Sequence, residues 1–364
     1  MNAYVIGGTG VLSSGVVRRL VGAGHTVTIL TDGRGPLEEP AGVARHMVMD
    51  RMEMPARKEV RSALQSADIV VDCICYTKAH ARALSAAMDG AGGHLVVIST
   101  TLVYPPSATP LKPDAVSTNY QALGRYGARK FEMERCWRFE HRGAPVTVLR
   151  PPHVVGPGCE LGVVPLHNRD VLLSSLIRRG QPLILAGGGE QRMNLVSADD
   201  VGRVVCGVAG RAVAFGKTYN CANPDPVTAL EYFETIAARL GADLTVVRLP
   251  KALLSSAGWG WEQVASSRLL DTSGLRSDVG FVPNTSLDAA IGPALDYLLS
   301  SPDREAQIHQ ADPSFDADRY CEVLHRLEAE LRAGASGVVE TLRLLASMRY
   351  RTPVDLRMNP RHGA

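Results

Sequence analysis

Short apolar runs alternate with amphipathic segments along the first part of the chain. The runs lie at residues 4–6, 26–30, 46–49, 69–73, 95–98 and 146–149. Between the first two, Val16, Val17, Leu20 and Val21 recur at helical spacing, and helices are also predicted at about 79–88, at about 119–139 and after Asp199. Strands that alternate with helices form βαβ units around a buried parallel sheet. The pattern therefore predicts an α/β fold with a doubly wound parallel sheet.

The alternation weakens after residue 160, and this change suggests how the chain is divided. Residues 161–189 and 226–300 carry most of the remaining Gly, Pro and Ser clusters, which are typical of segments that leave and rejoin a sheet. We predict that they form a smaller substrate-binding lobe beside a main domain of residues 1–160 and 190–225. Two helix-like stretches predict a helical C-terminal extension over residues 301–364.

Composition and charge exclude several classes of protein. The 39 Lys and Arg residues nearly balance 37 Asp and Glu residues and form no basic stripe for nucleic acid. No run reaches the roughly 18 apolar residues of a membrane span, and the N-terminus lacks the pattern of a signal peptide. The seven cysteines include no CxxC pair and are interpreted as buried thiols, with no metal site or disulfide framework. We expect a cytoplasmic protein.

A glycine-rich turn follows the first predicted strand and precedes the first predicted helix. The segment GGTGVLSSG spans residues 7–15. Gly7 and Gly10 permit a tight turn, and backbone N–H groups at the helix start, including those of Val11 and Leu12, suit a pyrophosphate. Ser13 stands where a third glycine is usual. The context predicts a dinucleotide-binding Rossmann domain, and the alternative is a structural turn without a ligand.

Residues after the second and third strands bear on the choice of dinucleotide. Asp32 suits the ribose hydroxyls of NAD, whereas Arg34 suits the 2'-phosphate of NADP. Asp50 follows the third strand and is a candidate acceptor for the adenine amine. Each of the three is alternatively an exposed turn residue. We predict NAD as the cofactor and keep NADP as the alternative.

Three side chains form a candidate acid/base set. Tyr126 and Lys130 are four residues apart on a predicted helix, which places them on one face. A phenol with a pKa of about 10 is a poor base at neutral pH, but a neighbouring ammonium favours the phenolate. Thr100 ends the fifth strand, where its hydroxyl can hold the same substrate oxygen. This combination suits proton transfer coupled to hydride transfer.

The glycine turn, the strand-five Thr and the YxxxK pair resemble the extended, epimerase/dehydratase-like branch of the short-chain dehydrogenase/reductase superfamily, from residue 1 to about 300. LRPPHVVGPG, residues 149–158, is similar to a loop of that family that orients the nicotinamide, which implies a role for Pro151. QRMNLVSADDV, residues 191–201, is similar to a segment whose arginine grips a nucleotide diphosphate, here Arg192. Thr101 and His153 are further candidates for contact with the substrate. The alternative for His153 is a hydrogen-bonded structural histidine, and the alternative for Arg192 is a surface arginine.

Departures from the family pattern narrow the reaction. Family dehydratases carry an Asp-Glu pair directly after the catalytic Thr, whereas this chain has Thr101-Leu102. We therefore reject a 4,6-dehydratase. Residues 256–263 read SAGWGWEQ where many relatives carry a second phosphate-binding arginine, which weakens the case for a nucleotide-diphosphate substrate.

The predicted function is an NAD(P)-dependent epimerase or oxidoreductase that acts on a secondary hydroxyl or ketone of a sugar or nucleotide-sugar-like substrate. One alternative is a net NAD(P)H-dependent ketoreductase or dehydrogenase of a small polyol or secondary metabolite. Another is a non-catalytic NAD(P)- or RNA-binding relative, which the near-neutral charge and the intact Thr100, Tyr126 and Lys130 set oppose. We expect a homodimer with a small sugar-like substrate and with neither nucleic-acid nor membrane partners.

Overall fold

The computed structural model describes residues 1–117, 119–162, 172–253, 266–300 and 316–348. The chain divides into two compact units. Unit 1 comprises residues 1–158, 194–226 and 268–290, and unit 2 comprises residues 159–193, 227–267 and those from 291 onward.

The division differs from the predicted one at three places. Residues 268–290, which the sequence assigns to the lobe, belong to unit 1. There, Arg268–Leu270 pairs with Ser107–Leu111, and the Tyr219 hydroxyl donates to Asp278 at 2.8 Å. Residues 190–193 belong to unit 2, as do the described residues of the C-terminal extension. Local composition does not show the assignment of residues 268–290, because it depends on pairing with a strand that is distant in the sequence.

Fifteen strands occur in the described residues. They are β1 Asn2–Ile6, β2 Thr26–Thr31, β3 Arg45–Val48, β4 Ile69–Asp72, β5 His94–Ile98, β6 Ser107–Leu111, β7 Val146–Arg150, β8 His153–Val155, β9 Leu183–Ala186, β10 Arg192–Met193, β11 Leu195–Ser197, β12 Thr218–Asn220, β13 Val227–Thr228, β14 Val246–Leu249 and β15 Arg268–Leu270. All six predicted strands are present within one or two residues of the expected bounds.

The main sheet of unit 1 has seven parallel strands in the order β12-β7-β5-β4-β1-β2-β3. The order reverses between β1 and β4, and a doubly wound sheet binds its ligands at such a reversal, beyond the carboxyl ends of the strands. The predicted fold class is therefore confirmed. The edge strand β12 is the one strand of this sheet that the sequence analysis missed.

Eleven α-helices occur in the described residues. They are α1 Val11–Gly22, α2 Lys58–Gln65, α3 Lys78–Ala87, α4 Tyr120–Phe139, α5 Leu173–Arg178, α6 Ala198–Val208, α7 Ala229–Leu240, α8 Ser273–Val279, α9 Leu287–Leu299, α10 Ala317–Ala333 and α11 Val338–Ser347. Asp199 and Asp200 lie in the first turn of α6, as predicted from the helix dipole.

Helices cover both faces of the main sheet. One buried apolar cluster joins the sheet to α1 and α6 through residues such as Val17 and Val204. A second cluster joins the opposite face to α2, α3 and α4 through residues such as Leu64, Leu84 and Met133. Burial on both faces explains why the strands are apolar without alternation.

Unit 2 contains two short strand pairs and several helices. β9 pairs with β14 in parallel, and β10 pairs with β13 antiparallel. In the extension, α10 packs against α11, and Gly334 ends α10 in the left-handed conformation. The two helices predicted near the C-terminus are therefore present.

All seven cysteines lie in the described residues, and no disulfide joins them there. Five are buried, and Cys206 and Cys321 are partly exposed. Burial raises the pKa of the thiols of Cys73, Cys75 and Cys221, which keeps them protonated. No helix in the described ranges has both the length and the apolarity needed to cross a membrane.

Candidate active site

The glycine turn joins β1 to α1 at the carboxyl edge of the sheet. Gly7 and Gly8 have φ angles of +109° and +144°, which L side chains rarely adopt. The Gly7 N–H donates to the carbonyl of Leu30 at 2.7 Å, which ties the turn to β2. Gly10 directly precedes α1, so Val11 and Leu12 form its first turn. Their backbone N–H groups carry the positive end of the helix dipole, and this arrangement suits a pyrophosphate.

Ser13 and Gly15 determine how α1 is joined to the glycine turn and how it packs against α6. Ser13 Oγ accepts a hydrogen bond from the Gly10 N–H at 3.0 Å, so the serine in place of the third glycine braces the turn from inside. The close helix packing occurs at Gly15, where a Cβ would lie 2.2 Å from the carbonyl oxygen of Ala198 in α6. The serine is thus compatible with the turn, and Gly15 sets the distance between the two helices.

The three adenosine-side candidates are all exposed. Asp32 Oδ1 accepts a hydrogen bond from the Arg34 N–H at 3.0 Å, which shapes the turn after β2. The Leu37 N–H donates to the Thr9 carbonyl at 3.1 Å, so the same loop contacts the glycine turn. Asp50 Oδ1 accepts from the Met52 N–H at 2.8 Å and caps a 3-10 turn. Both carboxylates therefore have a local structural role in addition to the predicted one.

Arg51 and Asp72 form a buried ion pair that the sequence analysis missed. Arg51 Nη1 and Nη2 donate to the two Asp72 oxygens at 3.0 and 2.7 Å, and the side chains are 7% and 0% exposed. Arg51 also donates to the carbonyls of Ile74 and His80. Burial alone would raise the pKa of Asp72, but Arg51 outweighs it and holds that pKa below its usual value. The pair fixes the loop that follows β4.

Thr100 and Thr101 follow β5, and both are buried. Thr100 Oγ1 accepts from the Leu102 N–H at 3.3 Å and caps a 3-10 turn over Thr101–Val103. The Thr101 N–H donates to the carbonyl of Pro151 at 3.1 Å. This bond joins the segment after β5 to the segment after β7, so three predicted site residues lie together.

Tyr126 lies near the start of α4, two residues after a break in the helix. Gly124 has φ 64° and ψ 170°, which are not helical angles. At the next turn, a Cβ on Gly127 would lie 2.3 Å from the Leu102 carbonyl oxygen. The backbone of α4 therefore rests directly on the turn capped by Thr100, and the half-buried Tyr126 is the residue before that contact.

Lys130 is 1% exposed and lies one turn beyond Tyr126. Its Nζ donates to the carbonyl of Cys75, which follows β4, at 2.8 Å and to the carbonyl of Ile98, the last residue of β5, at 2.9 Å. It also lies 4.9 Å from the centre of the Tyr76 ring. Burial lowers the pKa of Lys130, while the surrounding anionic and polar groups oppose that shift. The predicted lysine is thus at the centre of the carboxyl edge of the sheet.

His153 and Arg192 complete the predicted set. His153 begins β8 in unit 1, where β8 pairs with β11. Arg192 is exposed in β10 of unit 2, and its N–H donates to Ser267 Oγ at 2.9 Å. The structure therefore gathers Thr100, Thr101, Tyr126, Lys130 and Pro151, together with the glycine turn, in unit 1. Residues 256–263, with the missing second arginine, lie outside the described residues.

Sequence reasoning also missed a buried polar network beside α4, formed by Ser99, Tyr104, Glu134, Arg150 and Asn220. Two signals in the sequence point to it. Glu134 is four residues after Lys130 on the same helix face, and Arg150 ends an otherwise apolar strand. Charged residues in such places are buried only when they are paired.

Comparison with known proteins identifies the fold and the relatives of the chain. Residues 3–222 match the model of the NAD dependent epimerase/dehydratase family. A 2'-dehydrokanamycin reductase from Streptomyces kanamyceticus is 28% identical over 272 residues, which is 74% of each chain.

Two solved structures share the architecture. A UDP-glucose 4-epimerase from Thermotoga maritima is 19% identical with a TM-score of 0.68, and covers 83% of this chain and 100% of its own. A UDP-glucuronic acid 4-epimerase from Bacillus cereus, in complex with NAD, is 17% identical with a TM-score of 0.64, and covers 82% of this chain and 99% of its own. At these identities the likeness shows a shared fold.

Proposed function

Because the chain belongs to the NAD dependent epimerase/dehydratase family, we propose that it transfers hydride between NAD(P) and a secondary hydroxyl or ketone of a sugar-like substrate. The observation that carries this proposal is the contact between Gly127 and Leu102. It places the helix with Tyr126 and Lys130 directly on the turn that Thr100 caps. These are the three groups required for proton transfer at a carbinol oxygen.

The structure fits a dinucleotide at the reversal point of the sheet. The turn before α1, residues 7–10, carries no side chain larger than that of Thr9. The positive φ angles of Gly7 and Gly8 shape this turn, and Ser13 braces it from inside. The N–H groups of Val11 and Leu12 would hold the pyrophosphate, and Asp32 or Arg34 would face the adenosine ribose. Pro151 and Lys130 would lie at the nicotinamide end. The bound dinucleotide supplies the hydride acceptor or donor.

The protein's own residues accept the proton in one direction and donate it in the other. In the oxidative direction the Tyr126 phenolate accepts the hydroxyl proton of the substrate while hydride leaves the same carbon, and a ketone results. In the reductive direction the Tyr126 phenol returns a proton to the oxygen as hydride arrives. The Lys130 ammonium stabilises the phenolate, and the Thr100 hydroxyl orients the substrate oxygen. His153, Thr101 and Arg192 are proposed to contact the rest of the substrate.

Two outcomes follow from the same chemistry. If the enzyme retains its cofactor, oxidation and then reduction from the other face give an epimer without net redox change. If it exchanges cofactor, the product is the reduced or oxidised substrate. The second outcome is favoured by the relative whose name states that it reduces 2'-dehydrokanamycin. We also propose NAD as the preferred cofactor, a homodimeric state and a cytoplasmic location.

Isotope transfer tests the proposal and separates the two outcomes. The purified protein is incubated with UDP-glucose, UDP-glucuronic acid or a keto-aminoglycoside, using substrate deuterated at the reacting carbon or NAD(P)H deuterated at the nicotinamide. Retention of substrate deuterium in an epimeric product shows epimerisation. Stoichiometric delivery of deuterium from NAD(P)H shows a ketoreductase. Binding of NAD(P) without turnover of any of these substrates, or of a wider panel of sugars and polyols, would favour the non-catalytic relative.

A further inference from the structure

Glu134 and Arg150 form an ion pair inside unit 1, between α4 and the end of β7. Arg150 Nε donates to Glu134 Oε1 at 2.9 Å, and Arg150 Nη2 donates to Oε2 at 2.5 Å. The two residues are 7% and 4% exposed. Burial alone disfavours the Arg150 cation, but the hydrogen bond and charge of Glu134 outweigh it and raise the pKa of Arg150. The Arg150 guanidinium is therefore held in its charged form.

The carboxylate of Glu134 connects the pair to the segment after β5. Ser99 Oγ donates a short hydrogen bond to Glu134 Oε1, and the Ser99 N–H donates to the Leu149 carbonyl at 2.7 Å. Ser99 directly precedes Thr100, and Glu134 lies one helical turn after Lys130. One carboxylate therefore links the residue next to the candidate threonine to the helix that carries the candidate lysine.

Arg150 extends the network in the other direction. Its Nη1 donates to the Tyr104 hydroxyl at 2.8 Å and to the Pro113 carbonyl at 2.6 Å. The Tyr104 hydroxyl donates to Asn220 Oδ1 at 2.6 Å. The next residue along the chain, Pro151, accepts the hydrogen bond of the Thr101 N–H. Through direct hydrogen bonds or adjacent residues, the pair thus connects the segment of Thr100 and Thr101, the helix of Lys130 and the segment of Pro151.

We propose that Glu134 and Arg150 are positioning residues, which fix the Thr100 turn against the helix of Tyr126 and Lys130. This inference rests on the proposed function. A buried ion pair is a poor source of stability, because the loss of hydration offsets most of the attraction between the charges. Its bidentate geometry does, however, restrict direction and distance. Catalytic groups that move by about 1 Å can lose about 100-fold in rate, so a rigid link between them matters for turnover.

Removing one hydroxyl tests the link without leaving a buried charge unpaired. Ser99→Ala deletes the bond to Glu134 and retains the ion pair, whereas Glu134→Gln risks unfolding. Thr147→Ala is the matched control. Like Ser99, Thr147 carries a buried hydroxyl, but it lies on β7 and bonds the Ala214 carbonyl and His94. Tyr104→Phe, which deletes the bonds that its hydroxyl makes to Arg150 and Asn220, provides a second variant of the network.

The first readout is hydrogen exchange, which requires no activity. We expect the amides of residues 99–102 and 127–130 to exchange about tenfold faster or more in Ser99→Ala than in Thr147→Ala, since local opening follows the loss of the link. Equal exchange in the two variants overturns the inference. If wild-type protein turns over no substrate, the proposed function fails, and this readout still decides the positioning role.

The second readout applies where wild-type turnover is found. We expect Ser99→Ala and Tyr104→Phe to lower kcat about tenfold or more, with little change in the KM for cofactor and at temperatures well below unfolding. Thr147→Ala should keep wild-type kcat. An unchanged kcat in both network variants, or a loss that only follows their unfolding temperature, contradicts positioning and leaves the pair a structural element.

Discussion

Gly127 approaches Leu102 so closely that a Cβ at position 127 would lie 2.3 Å from the Leu102 carbonyl oxygen. Real Cβ atoms do not come this close to backbone, so any larger residue must displace either α4 or the turn after β5. The contact is the point at which the two parts of the candidate active site meet.

Gly127→Ala should therefore reduce both activity and stability. Overpacking costs about 1–3 kcal/mol in the free energy of unfolding, and a shift of α4 also moves Tyr126 and Lys130. Urea unfolding and steady-state kinetics measure the two effects. Gly22→Ala is the control, because a Cβ at this helical position meets nothing within 4 Å. Wild-type activity in Gly127→Ala would show that the contact does not set the catalytic geometry.

Tyr126→Phe should lose most turnover and retain its fold. The change removes the phenolic hydroxyl that carries the transferable proton and leaves the ring in place, and general acid/base catalysis contributes about 10² to 10⁴ in rate. Cofactor titration and thermal unfolding should give values near those of the wild type. Undiminished turnover would rule out Tyr126 as the acid/base.

Lys130→Met should weaken cofactor affinity as well as turnover. The ammonium donates to the carbonyls of Cys75, after β4, and of Ile98, at the end of β5, and we propose that the nicotinamide ribose lies at this edge of the sheet. Loss of hydrogen bonds from a charged donor costs about 1.5–3 kcal/mol, or about tenfold or more in Kd. Calorimetric NAD titration of this variant and of Arg129→Met, which changes an exposed neighbour, separates the effect from general loss of charge. A defect confined to kcat would contradict the dual role.

Cofactor preference should depend on the exposed turn after β2. Asp32→Ala should weaken NAD more than NADP, by about 1–3 kcal/mol for a charged hydrogen-bond partner. Arg34→Ala should change NAD binding little. Selective loss of NADP binding in Arg34→Ala, in a protein that prefers NADP, would show that our assignment of NAD is wrong.

Acid should destabilise the protein through His94. Burial lowers the pKa of His94 to about 4, and its Nδ1 accepts the Gly210 N–H at 3.1 Å while Nε2 bonds Thr147. The unfolded chain, with a histidine pKa of about 6.5, binds a proton at a higher pH than the folded chain. The neutral His94 ring therefore makes its full contribution to the free energy of unfolding above about pH 6.5. As the pH falls toward about 4, the free energy of unfolding decreases by up to about 3 kcal/mol.

Urea unfolding at pH 7 and at pH 4.5 measures this loss. His94→Gln should be less stable than wild type at pH 7 but should lose less stability on acidification. His325→Gln, which changes an exposed histidine, serves as the control and should follow the wild type. An equal pH dependence in wild type and His94→Gln would assign the acid sensitivity to other groups.

The sheet and its helices were predictable because burial on both faces makes most of the strands short, continuous apolar runs, while the helices between them carry apolar residues at helical spacing. The edge strand β12 was missed because three residues, Thr218–Asn220, are too short to show any period. The membership of residues 268–290 in unit 1 depends on pairing with β6, which no local pattern encodes.

For the site, fixed spacing and position at strand ends predicted Thr100, Tyr126 and Lys130. The spacing did not reveal what holds them. The helix face of Glu134 and the position of Arg150 at the end of an apolar strand hint that both are buried, but the sequence does not show that they pair with each other. Their burial and their two hydrogen bonds show that in the structure. Likewise, Gly127 is an ordinary helical glycine until the Leu102 carbonyl is placed beside it.

A change of cofactor preference in this chain cannot readily use Arg51, the basic residue after β3, because its side chain already has buried partners. Arg51 is buried against Asp72 and bonded to two carbonyls, so it cannot turn toward a ribose phosphate without breaking the loop after β4. Replacement of one partner would leave a buried charge uncompensated, at about 3–5 kcal/mol. Adaptation to the other dinucleotide therefore runs through Asp32 and Arg34, whose side chains are exposed on the loop after β2. The glycines beside them are not open to change, because Gly33 has a φ of +75° and a Cβ on Gly35 would lie 1.9 Å from Thr9 Oγ1.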